Sequence, residues 1–170
     1  MDSQRKLLKH FLAALAYRTQ KAVRGASPEF GTFSAGGKVR TPIELVRHMD
    51  SVLGYARTFI VGGTYRPPEA KSLDEAVAHF HEVLEDLARH LDAELAFNAI
   101  TPETLLQGPF SDAMTHAGQL AILRRLFGDP VPPENFIYAE ISPDNLGPDQ
   151  PMPASPDAEW PEKPASRTED

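Results

Sequence analysis

Four stretches of the chain repeat apolar residues at three- and four-residue intervals, the period of an α-helix that buries one face. The first carries Leu7, Leu8, Phe11, Leu12 and Leu15. It predicts a helix that starts after Asp2 or Ser3, runs to about Arg24 and stops at Gly25. Residues 25 to 40, rich in Gly and Ser, read as a connector. Thr41-Pro42-Ile43-Glu44 combines a capping threonine, a proline suited to the first helical position and a glutamate placed to close a capping box. The helix it opens runs to about Ile60 with the stripe Leu45, His48, Val52, Tyr55, Phe59, before Gly62-Gly63 and Pro67-Pro68 break it.

Ser72 and Glu75 predict a second capping box and a long third helix to about Leu95, with Leu73, Val77, Phe80, Leu84, Leu87 and Leu91 inward. Thr101-Pro102-Glu103 suits a short helical turn, and Gly108-Pro109 re-aims the chain into a last helix ending at Phe127-Gly128. That helix places Asp112, His116, Gln119, Leu123 and Leu126 on one stripe, spaced 4, 3, 4 and 3. Four periodic segments without strand alternation predict an all-α fold, a four-helix bundle over residues 1–128. Ten of the sixteen prolines follow residue 129, so residues 129–170 read as an extended arm rather than a helix. Phe136, Ile137, Tyr138, Ile141 and Trp160 are its expected anchors on the bundle or on a neighbouring subunit.

Polar groups on a buried stripe need partners, and this narrows the chemistry. Asp112 and His116 are one turn apart on a single face, and His48 interrupts the second helix's stripe. Two imidazoles and a carboxylate hold Zn, Ni or Fe(II) with coordination positions left open. The same residues admit a metal-free reading, in which His48 pairs with Asp112 and the carboxylate also complements the helix dipole. His81 is a further residue able to border the site, whereas His79 and His90 fall on a solvated face and His10 at a stripe edge. Gly118, inside a helix, suggests a close backbone approach. Arg124 and Arg125 suit the C-terminal helix dipole.

Composition removes alternatives. With 24 acidic against 17 basic side chains and a net charge of −7, the chain repels nucleic acid and anionic membranes. No cysteine is present, so thiolate metal sites, disulfides and cysteine nucleophiles are excluded. No segment has the form of a secretory signal or is apolar enough to cross a bilayer, and a cytoplasmic location is expected. No motif assembles a nucleophilic triad.

The segments TPIELVRHMDSVLGYARTF and THAGQLAILRRLFG resemble the DinB-like superfamily of bacterial four-helix bundles, which includes the thiol-dependent transferases related to mycothiol-dependent maleylpyruvate isomerase. The likeness spans roughly residues 1 to 128 and rests on His48 in the second helix and HAGQ at 116 to 119. It implies a divalent ion, Ni or Zn, held by His48, His116 and the residue four before His116. Here that residue is Asp112, where the family typically has histidine. It further implies a homodimer acting on a small molecule, as a hydrolase or as a transferase using a low-molecular-weight thiol, with Gln119 or Tyr55 orienting the substrate. The competing expectation is a non-catalytic helical module for dimerisation or small-molecule binding, with no ion.

Overall fold

The computed structural model describes residues 2 to 154, and all regular structure in it is helical. Four long helices, α1 (Ser3–Val23), α2 (Pro42–Val61), α3 (Leu73–Asp92) and α5 (Ser111–Leu126), are joined by connectors that include the single turn α4 (Pro102–Leu105). Each start has a local cause. Asp2, Thr41, Ser72 and Thr101 each accept a backbone N–H of the first turn, satisfying donors that no helical carbonyl reaches. Only Thr41 forms the reciprocal box, because Glu75 reaches past Ser72 to accept from the Lys71 amide. α3 ends at Asp92, three residues before the expected Leu95.

The chain between α4 and α5 widens into a π-type segment, Leu106–Phe110, broken at Gly108 with ψ near −105°. Pro109 cannot donate a helical bond, and beyond it the Leu106 carbonyl accepts from both the backbone N–H and the hydroxyl of Ser111, the latter at 2.6 Å. This kink sets the direction in which α5 leaves.

α2 packs on α3 and α5, and α1 packs on α5 and α3, which closes a ring of four contacts around one apolar core. The rows at its centre are Leu8, Leu12 and Leu15 of α1, Met49 and Leu53 of α2, Phe80, Leu84, Leu87 and Leu91 of α3, and Ala113 and Leu120 of α5. Three predicted stripes coincide only in part with those observed. Leu7 is exposed and Phe11 only half-buried; on α2 Leu45 is buried as expected, but the row continues through Val46, Met49, Leu53, Ala56 and Ile60, with His48, Val52 and Phe59 half-buried and Tyr55 exposed. On α5 the row is Ala113, His116, Ala117, Leu120 and Leu123, while Asp112, Gln119 and Leu126 lie outward. Alanine explains the error: small residues mark the tightest helix contacts, yet they contribute little to an apolar pattern read from the sequence.

The connector after α1 is also more than a link. Its turn Pro28–Thr32 buries Phe30 completely, and Phe30 and Phe33 both pack on Phe127, with centroids 5.5 and 5.4 Å away. Arg124 is buried there and donates to the carbonyls of Ala22, Arg24 and Asp129 and to the Asp129 carboxylate. It therefore ties together the C-terminal ends of α1 and α5, a role larger than complementing a dipole.

Residues 129 to 154 lie extended along the outside of the helices, with one turn at Phe136–Tyr138. Polar contacts hold them more than the expected anchors do. Tyr17 donates its hydroxyl to Glu134 at 2.5 Å, and Lys21 lies 3.3 Å from the second oxygen of that fully buried carboxylate. Lys9 bridges Asp92 and Asp144, and Arg24 donates to the Gln150 carbonyl. His81 is buried on α3 and donates from Nδ1 to the Leu146 carbonyl at 2.6 Å. Phe136 packs edge-on against Tyr17, but Ile137 and Tyr138 point to solvent. Ile141 is half-buried, and Trp160 lies outside the described residues.

Gly118 makes no close backbone approach, since a Cβ built there meets nothing within 4 Å. The glycine that packing requires is Gly54 on α2, where a Cβ would fall 1.9 Å from the Tyr65 ring. Tyr65 in turn donates to buried Asp50 at 2.5 Å. Helix propensity favours Gly54→Ala by up to about 1 kcal/mol. Displacing Tyr65 overpacks the site and strands a buried carboxylate, at about 1–3 kcal/mol for each effect. Overpacking wins, and Gly54→Ala is expected to lower the urea midpoint.

Burial pushes the His81 imidazole below its usual value of 6.5, against the smaller opposing effect of its bond to Leu146. The folded state thus prefers neutral His81, so its contribution is complete above the unfolded value and is lost as pH falls through the lower folded one. Acidification from neutral pH is expected to lower Tm, and His81→Gln, which does not titrate, is expected to flatten that fall.

Candidate metal centre

α2 and α5 run side by side, and their seam brings His48, Asp112 and His116 together from segments more than sixty residues apart in the sequence. One ligand atom from each lies within 4.8 Å of the other two. His116 Nε2 is 3.5 Å from one Asp112 oxygen, and His48 Nε2 is 3.8 Å from the other. The imidazoles meet edge to face with centroids 4.8 Å apart. Donors held at about 2.1 Å from a tetrahedral ion are separated by about 3.4 Å, so the two histidine–aspartate spacings are close to what an ion requires.

The three side chains differ in burial. His116 is closed off, His48 is about a third exposed and Asp112 about half exposed. A ligand set of this kind leaves one side open to small molecules.

Hydrogen bonding settles which atoms face the centre. Gln119, one turn after His116, accepts from His116 Nδ1–H at 2.7 Å. That fixes the tautomer and leaves the Nε2 lone pair directed towards Asp112, the arrangement in which a ligating histidine donates its other N–H to an oxygen outside the ligand set. The spacing of His and Gln in HAGQ therefore has a physical content: i and i+3 on a helix are the positions from which an amide oxygen can reach Nδ1.

Burial lowers the His48 pKa, and the positive charge of Arg40 and the nearby His116 lower it further, against the opposing pull of Asp112. A neutral imidazole at neutral pH keeps its lone pair available for a cation. Arg40 has no signal in the helical periodicity, because it reaches this neighbourhood only through the fold of the connector.

Two clefts flank the seam. One, of about 850 Å³, is bordered by Tyr55, Tyr65, Gln107 and Asp112. The other, of about 640 Å³, is bordered by Lys38, Arg40, Gln119 and Leu126. Tyr55 and Gln119 thus each border an opening next to the cluster, although neither belongs to the core. His81 does not join it, since its partners are Leu146 and Gln20. His90 is bonded to Asp86 on the far end of α3.

Comparison of the chain with family models, with curated proteins and with solved structures gives no match. The geometry therefore carries the functional argument alone. Removing the Gln119 oxygen is its direct test. Gln119→Leu is expected to leave the helices intact by circular dichroism and to weaken Co(II) binding, followed by visible absorption, about ten- to a hundredfold.

Proposed function

We propose that the protein is a divalent-metal-dependent enzyme of the DinB-like class, a four-helix bundle over residues 1–128 carrying residues 129–170 as an arm. His48, Asp112 and His116 hold the ion, with Ni or Zn the best chemical match to two imidazoles and one carboxylate. The observation that supports this most is the convergence of the three donor atoms within 4.8 Å, together with the Gln119 bond that presents His116 Nε2 to them. A scaffold with four facing helices suits such a site, because side chains on neighbouring helices converge without disturbing the backbone.

The donor set fits a Lewis-acid centre, and a bound ion there supplies acidity to a thiol or water reaching it and polarises a substrate oxygen. The chain's own residues do the rest. The exposed Tyr55 hydroxyl offers a hydrogen bond to a substrate entering the cleft beside Asp112. Lys38 and Arg40 border the opposite cleft and favour an anionic group there. Gln119 keeps His116 in one orientation while substrate exchanges. The reaction class is hydrolysis or transfer involving a low-molecular-weight thiol, in a cytoplasmic homodimer. Among the described residues, no helix is long and apolar enough to cross a membrane.

A second reading is favoured by the exposure of Asp112 in the first turn of α5, where a carboxylate complements the helix dipole without any ion. On that reading the protein is a non-catalytic helical module. Elemental analysis of protein purified without an immobilised-metal column separates the two. Near-stoichiometric Ni or Zn and a Tm raised by adding Ni, Zn or Mn are expected. His116→Ala is expected to abolish both effects and His79→Ala to preserve them. No ion and no thermal shift would establish the module instead.

A further inference from the structure

Gly118 and His116 are two positions apart on α5 and so face different sides of the helix. On the Gly118 side, α1, α5 and the arm border a third opening, of about 390 Å³, within the size range of small-molecule sites. Its floor is Ala117, Gly118 and Ala121, and Pro133 and Phe136 of the arm cover it. The missing side chain at Gly118 leaves open space that no part of the protein uses. Helix stability alone favours alanine there.

The walls of this cavity are cationic in a protein whose net charge is −7. Arg18, Lys21 and Arg125 all border it, against the single carboxylate of Glu134. Glu134 accepts from the Tyr17 hydroxyl with one oxygen; the other lies 3.3 Å from Lys21 Nζ and accepts no hydrogen bond among the described residues. Lys21 donates to the Pro132 carbonyl. Arg18 is different. It is half-buried and lies face-on to Phe136 at 3.7 Å, and among the described residues no acceptor is hydrogen-bonded to its guanidinium. A partly desolvated guanidinium without an acceptor, stacked on an aromatic ring beside an empty apolar floor, suits a planar anion.

We infer that this cavity is a binding site for a small carboxylate with a flat apolar body, its anionic end received by Arg18 and Arg125 and its body lying over Gly118 against Phe136. The site is separate from the metal centre and does not depend on an ion being bound there. Because the arm supplies the cover, occupancy also secures residues 131 to 136 against α1 and α5.

Titration calorimetry of the full chain with 1-naphthoate and with its neutral isostere 1-naphthamide tests this. At neutral pH the carboxylate is expected to bind one per chain, about tenfold or more tighter than the amide. Amide resonances of residues 114–121, Val131, Glu134, Asn135 and Phe136 are expected to shift, with His48 unaffected. Arg125→Gln is expected to reduce the preference for the carboxylate severalfold. Gly118→Leu fills the space, and is expected to abolish binding while leaving Tm equal to the wild type or higher. If Gly118→Leu fails to fold, Gly118→Ala, which adds only the unobstructed Cβ, and Arg125→Gln carry the test. Equal affinity for acid and amide, binding retained in Gly118→Leu, shifts confined to other surfaces or no binding of naphthoate would each overturn the inference. So would a change of sedimentation state in Gly118→Ala, which would show that a second copy of the chain covers this face.

Discussion

His116 lies between α2 and α5, where an imidazole cannot leave its hydrogen-bonding needs to water. Its Nδ1–H needs an acceptor that the helices themselves supply. Gln119 provides it from the same helix, while Nε2, with no hydrogen bond among the described residues, is turned to the Asp112 carboxylate and the edge of His48. Much of the local structure follows from this. α5 must begin at Ser111 for Asp112 to sit one turn before His116, and the break at Gly108 with Pro109 behind it places that beginning. α2 must lie against α5 in the register that brings His48 across the seam.

The arm follows a similar logic on the opposite side. A proline-rich segment offers few backbone donors and no helical face, so apolar burial alone holds it weakly. Buried polar contacts specify its path: Glu134 between Tyr17 and Lys21, the Leu146 carbonyl on His81, and the Gln150 carbonyl on Arg24. Each needs one geometry, whereas a greasy contact tolerates many. The arm therefore adds a cover to α1 and α5, enters the core through Leu146, and leaves a cavity between itself and the small residues of α5.

Local chemistry made most of the helices legible. Caps at Asp2, Thr41, Ser72 and Thr101, the breaks at Gly25 and Gly128, and the α3 heptads are decided by atoms a few residues apart. The pairing of Asp112 with His116 was legible for the same reason, as a single turn of helix joins them. The helix faces were read less well. Three stripes coincided only in part because the tightest contacts run through alanines and Gly54, which carry little apolar signal but admit a neighbouring backbone or ring. Gly118 and Gly54 look alike in the sequence; one borders open space and the other a tyrosine ring.

Residue order alone set the all-helical character, the caps and the one-turn spacing of Asp112, His116 and Gln119, since these depend on neighbours along the chain. Whether His48 meets them depended on the packing of α2 against α5, a contact between segments with no local relation. The approach of Arg40, the removal of His81 to the arm, and the choice of Glu134, Leu146 and Gln150 over Ile137 and Tyr138 as fastenings are likewise consequences of tertiary packing. A periodic pattern states that a face is buried. What stands opposite that face is decided by shape and by which buried polar atoms find partners.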